Sequence, residues 1–133
     1  MEDKRIEFET AKLAKEKGLC DYFEYGTEYV PAFYSENEVD YEETEFQQED
    51  CVILDRYLRT TQSLLAKWLR DYHNIEIFVL PVLSEDSEIL KYSYTIYRTN
   101  REVPENYEVY MDNDTYEEAL EIALAEGLKL IKL

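Results

Sequence analysis

His73 is the only histidine in the chain. A single imidazole cannot build a histidine-based metal site, and the two cysteines, Cys20 and Cys51, do not stand at zinc spacing to it or to each other. As a general base His73 would need an orienting acid, and no such partner is identifiable, so it reads as a helix-terminal residue favoured by the helix dipole. Asp112-Asn113-Asp114 opens like a calcium loop. The glycine at the sixth position and the bidentate glutamate at the twelfth are missing, and Asp114 as a helix cap accounts for it more simply. Three glycines, at 18, 26 and 127, leave nothing from which to build a phosphate loop. Paired carboxylates suit glycoside or phosphoester chemistry, but among 31 acids some pair is always close and the pairing carries no specificity. No cofactor or metal is implied, and the chain reads as a non-enzyme.

What remains is charge. Thirty-one Asp and Glu against 14 Lys and Arg give a formal net charge of -17 over 133 residues. That balance repels phosphate backbones and anionic lipid heads, so direct nucleic-acid binding and membrane association are not expected. No window has the roughly 18 apolar residues of a membrane span, and MEDKRIEFET has no apolar signal core. A cytoplasmic protein with free thiols is the expectation. The length suits a single domain over residues 1–133, and 45% hydrophobic residues suffice for one core.

The acids are unevenly placed. Residues 21–50 carry eleven of them and no Lys or Arg, interleaved with eight aromatics. Acid runs alone favour disorder, whereas this aromatic density can tie a segment onto a core. An ordered, irregular segment around a short strand or turn is expected there. Tyrosine combines contact area with a polar tip, and 13 tyrosines against five phenylalanines exceed the needs of a core. Tyr25, Tyr29, Tyr34, Glu38, Tyr41, Glu42, Glu43 and Glu45 are therefore the candidate partner-binding residues. The only locally positive stretch, with Arg56, Arg59, Lys67 and Arg70, is expected to pair with the acidic segment.

The elements around that segment follow from periodicity. Residues 5–18 read as a helix ended by Gly18, where a left-handed residue is wanted. Cys51–Leu54 is an apolar run, a strand or the lead-in to the next helix. Leu64, Leu65, Trp68, Leu69 and Tyr72 recur at helical spacing over 60–72, with Thr60 or Thr61 as N-cap and the first four of these apolar residues as core. Ile75, Ile77 and Val79 alternate with Glu76, Phe78 and Leu80 in a strand that Pro81 ends or marks as an edge. After the polar turn 84–87, Leu90, Tyr92, Tyr94 and Ile96 alternate in a second, antiparallel strand. A third strand is expected near 107–111. The last helix opens at Asp114 or Thr115 in a capping box and buries Ala119, Leu120, Ala123, Leu124, Leu128 and Ile131. The fold class is thus α+β: a small antiparallel sheet of two or three strands with about three helices packed on it.

Three helical stretches also carry a resemblance: Thr61–Arg70 running into His73-Asn74-Ile75, Tyr116–Leu120 through Leu128–Ile131, and Glu9–Gly18. They resemble small uncharacterised proteins of bacteriophages and prophages of the Bacteroidetes. The resemblance leaves out the acidic middle and brings no catalytic residues. It implies a phage or mobile-element origin, a setting rich in binding and inhibitory proteins. The leading functional expectation is a protein-interaction module acting on a host or phage protein with a basic surface. A nucleic-acid mimic directed at a host defence protein is the second reading, and a small carboxylate enzyme the third.

Overall fold

The computed structural model describes residues 4–19, 32–35, 40–42, 56–99 and 105–131. The chain is α+β and divides into two compact units, residues 1–64 and 65–132.

In the first unit, α1 (Phe8–Glu16) is followed by strands β1 (Ala32–Ser35), β2 (Asp40–Glu42) and β3 (Arg56–Leu58). The helix is shorter than the expected 5–18 because residues 4–6 are drawn into extended pairing. Ile6 N–H donates to the Thr60 carbonyl at 2.8 Å, and Gln62 N–H donates to the Lys4 carbonyl at 2.8 Å. Gly18 closes the helix with φ of 95°, the left-handed conformation expected of it. The three strands form an antiparallel sheet in the order β2-β1-β3. Two strands thus lie within the segment expected to be irregular around a single short strand or turn, and a second sheet exists where one was expected. Strands of four, three and three residues are too short to show an alternation. Packing explains their order instead: the Phe8 ring meets Tyr34 and Tyr57 edge-on at 5.7 and 5.4 Å. Tyr34 and Tyr57 are themselves register partners.

In the second unit, α2 (Gln62–His73), most of which lies in this unit, leads into β4 (Ile75–Leu83), β5 (Ile89–Arg98), β6 (Glu105–Asn113) and α3 (Tyr116–Lys129). Thr61 Oγ1 accepts from Leu64 N–H at 3.2 Å, so Thr61 supplies the cap of α2. Thr115 caps α3, accepting from Glu118 N–H at 3.1 Å. Asp114 is not the cap; its carboxylate takes Lys91 Nζ instead. The sheet is antiparallel in the order β4-β5-β6, with β4 at one edge. Ile75, Ile77 and Val79 stand opposite Arg98, Ile96 and Tyr94, so these residues share one face.

Helix α3 covers that face. Ala119, Leu120, Ala123, Leu124, Leu128 and Ile131 are all buried, as their spacing requires. Gly127 permits the close approach, since a Cβ there would lie 3.2 Å from Ile77 Cδ1, 3.4 Å from Leu69 Cδ1 and 3.5 Å from Ile75 Cγ2. Burial pushes the Tyr94 hydroxyl pKa up, and the Glu126 carboxylate on α3 adds to the shift. Leu65, Trp68 and Leu69 are buried as expected, but Leu64 is only half-buried and Tyr72 is exposed. Periodicity names the face of a helix; it does not say where along the helix packing stops. The strand runs through Pro81 to Leu83, and of the two expectations for Pro81 it is the edge position that holds. Among the described residues no helix is long and apolar enough to cross a membrane.

Trp68→Ala empties a fully enclosed site and is expected to cost about 3 to 5 kcal/mol, measured by urea unfolding. Gly127→Val forces branched carbons against Ile77 and Leu69 and is expected to cost about 1 to 3 kcal/mol. No loss in the second variant would mean that the helix is free to lift.

Candidate functional site

A helix of 14 residues is about 21 Å long, whereas the nine residues of β4 extend about 30 Å. The helix cannot cover the hairpin from end to end. Its C-terminal half is fixed by Gly127 against Ile75 and Ile77. Its first residue, Tyr116, meets Tyr92 edge-on with ring centroids 6.2 Å apart. Everything beyond Tyr92 and its register partner Pro81 therefore overhangs the end of the helix.

Leu83 and Ile89 are register partners in that overhang and share a face. They are 52% and 56% exposed, and Leu90 is 57% exposed. Leu90 was expected to continue the buried alternation of β5. It falls instead at a register shift, where Lys91 pairs Val82 and Ile89 pairs Leu83, and so it has no partner across the strand. Tyr116 adds a half-exposed ring beside the same end. This end of the hairpin thus exposes Leu83, Ile89 and Leu90, with Tyr116 at the start of α3; Tyr72, Phe78 and Leu80 are the other large apolar side chains exposed among the described residues.

Its rim is acidic. The turn presents exposed Glu85, Asp86 and Glu88, and the start of α3 presents exposed Asp114 and Glu118. Lys91, the basic side chain at this end of the hairpin, is paired with Asp114. Acids at the start of α3 also sit well with the positive end of the helix dipole, so they cost the fold little. Apolar side chains within an acidic rim suit an apolar anchor carried on a basic surface.

The candidate residues read from the sequence fall elsewhere. Tyr25, Tyr29, Glu38, Glu43 and Glu45 lie outside the described residues, as do Cys20 and Cys51 and the apolar run 51–54. Tyr41 and Glu42 lie on β2, in register with Phe33 and Ala32. Tyr34 on β1 is committed to the fold: its hydroxyl donates to the Ile6 carbonyl at 2.7 Å, and the Arg59 guanidinium lies 5.5 Å from its ring centre. Arg59 thus reaches the 21–50 segment through an aromatic face. Arg70 pairs at 3.5 and 4.0 Å with Asp71 and Glu76.

Two further sequence candidates have structural explanations. His73 ends α2 with its ring edge-on to Trp68 at 4.6 Å. Burial lowers its pKa from the ordinary 6.5, the direction opposite to the one the helix dipole favours. Asn113 is buried at the end of β6, and Asp114 is held by Lys91. Among the described residues no cluster of three or more His, Cys, Asp or Glu is placed to hold a metal ion. No protein-family model, curated protein or solved structure matches the chain.

Because folding favours the neutral imidazole of His73, the unfolded chain binds the proton more readily. The contribution is intact above the ordinary 6.5 and is lost as pH falls through it toward the depressed folded value. A proton NMR titration of the imidazole is expected to give a midpoint below 6.5. A midpoint above that value would mean that the dipole dominates.

Proposed function

We propose that the protein is a non-enzymatic interaction module whose contact surface is the overhanging end of the β4–β5 hairpin together with the start of α3. The observation that carries this reading is the exposure of Leu83 and Ile89 opposite each other beyond the reach of α3. Burying such side chains in a partner removes apolar area from water, which is the main source of association free energy. Glu85, Asp86 and Glu88 would steer a basic partner and raise its rate of encounter. The chemistry expected of the partner is an apolar projection, such as one face of an amphipathic helix, flanked by Lys or Arg. A phage or mobile-element origin would make that partner a host or phage protein.

The acidic segment can contribute a second, longer-range field through Glu38, Glu42, Glu43 and Glu45. The two contributions separate experimentally once the partner has been identified by crosslinking in the source cell. Leu83→Ser with Ile89→Ser is expected to weaken binding by about tenfold or more, chiefly through faster dissociation. The fold should survive, because both positions are exposed. Glu85→Gln, Asp86→Asn and Glu88→Gln are expected to slow association and flatten its salt dependence. If only the variant with Glu38, Glu42, Glu43 and Glu45 changed to Gln alters binding, the contact surface is the acidic segment and not the hairpin.

A further inference from the structure

Asn113 ends β6 in register with Tyr92, which in turn stands opposite Pro81. Register partners share a face, so the row Pro81, Tyr92, Asn113 crosses the sheet on the side that α3 covers. It is the last row before the overhang. An irregularity puts the amide there: from Tyr94 to Tyr92 β5 advances two residues while β6 advances four, from Val109 to Asn113. Without the two extra residues Met111 would oppose Tyr92. Asn113 is 7% exposed, and among the described residues its Nδ2 is enclosed without a hydrogen-bond acceptor. Capping does not account for it, because Thr115 already caps α3 by accepting from Glu118 N–H. A buried donor left unpaired costs the fold its desolvation, so an unpaired amide beside exposed apolar residues points to an acceptor brought by a partner.

The first turn of α3 adds donors at the same place. Leading N–H groups of a helix have no carbonyl one turn back to donate to, and they carry the positive end of its dipole. A full negative charge is nevertheless repelled here, because Asp114, Glu117 and Glu118 stand around the same turn and Lys91 is already paired with Asp114. The acceptor that suits these donors is therefore uncharged. Beyond Pro81 the strand continues for two residues, about 7 Å, or little more than one turn of helix.

We infer that the C-terminal turn of a partner helix docks on the overhang, end-on to the start of α3; the inference rests on the reading of the hairpin end as the contact surface. The last carbonyls of a helix have no intrahelical N–H, so they supply uncharged acceptors to Asn113 Nδ2 and to the first turn of α3. The negative end of the partner's dipole meets the positive end of that of α3. Lys and Arg, which are favoured in the last turn of a helix, fall against Glu85, Asp86 and Glu88. An apolar residue of the same turn covers Leu83 and Ile89. Because Nδ2 is enclosed in the free chain, docking requires a covering side chain to turn aside. Tyr116 begins α3, is 46% exposed and meets Tyr92, the register partner of Asn113, edge-on. Its ring makes that movement.

An NMR titration of the full chain with a helical peptide tests this docking. The probe is a peptide of about 16 residues with Leu along one face, Lys and Arg in its last turn and an amidated C-terminus. The side-chain NH2 resonances of Asn113 are expected to shift, and the free-acid form of the peptide to bind about tenfold more weakly, since its carboxylate meets the acids of α3. Asn113→Leu removes the donor at similar volume; its urea midpoint is expected to be equal or higher, while it binds the amidated peptide about tenfold more weakly. Binding that is lost in Leu83→Ser with Ile89→Ser but is the same in Asn113→Leu, with the Asn113 resonances unmoved, overturns the inference and leaves the hairpin end standing as the contact surface. Binding indifferent to Leu83 and Ile89 overturns both. If Asn113→Leu fails to fold, the Asn113 resonances of the unaltered chain decide alone. No binding of the peptide, or a response to inorganic phosphate at lower concentration than to the peptide, overturns the inference, whereas the hairpin reading is still decided by its crosslinked partner.

Discussion

The length mismatch between α3 and the hairpin beneath it governs what is left exposed on the face that α3 covers. Each helical residue advances about 1.5 Å and each strand residue about 3.3 Å, so 14 residues of one cannot span nine or ten of the other. Where the helix lies is decided at its far end. Gly127 lets α3 come down onto Ile75, Ile77 and Leu69, whose side-chain ends lie 3.2 to 3.5 Å from where a Cβ would stand, so a branched side chain there would press against them. With the C-terminal half fixed there, the first turn falls at Tyr92 and the last residues of the hairpin are left without cover. The exposure of Leu83 and Ile89 is thus a consequence of core packing several turns away.

Charge then acts on a surface whose position packing has chosen. A net charge of -17 spread over a small chain favours solubility and opposes association in general. Apolar side chains within that field become selective, because only a partner that brings positive charge to the rim gains from both terms. The acids around the hairpin end are inexpensive for the fold: three lie in an exposed turn and others stand at the positive end of a helix. Elsewhere cations are placed against rings as well as against carboxylates. Arg59 over Tyr34 and Lys15 over Tyr57, the latter at 5.3 Å, support the first unit in this way.

Much of the second unit was legible in the sequence. The apolar stripe of α3, the Thr115 capping box, the alternation of Ile75, Ile77 and Val79 and the short polar turn are local signals with fixed periods. The first unit was less legible. Its strands are three and four residues long, and β1 pairs with residues more than twenty positions away in β3. Nothing local in Ala32–Ser35 announces that pairing. The aromatic excess was noticed, and for Tyr34 it serves packing and a hydroxyl bond to Ile6 rather than an exposed contact. The hairpin end escaped the sequence reading because exposure there depends on the relative lengths and docking of two elements. Leu83, Ile89 and Leu90 are ordinary strand residues until α3 fails to reach them.

Backbone amide hydrogen exchange, compared between the free chain and its complex with the identified partner, tests most directly whether the uncovered hairpin end is the contact surface. Slowed exchange is expected at residues 82–92 and 114–118, with β4 before Leu80 and the centre of α3 unchanged. Protection confined to residues 21–50, with the hairpin end exchanging as in the free chain, would contradict it.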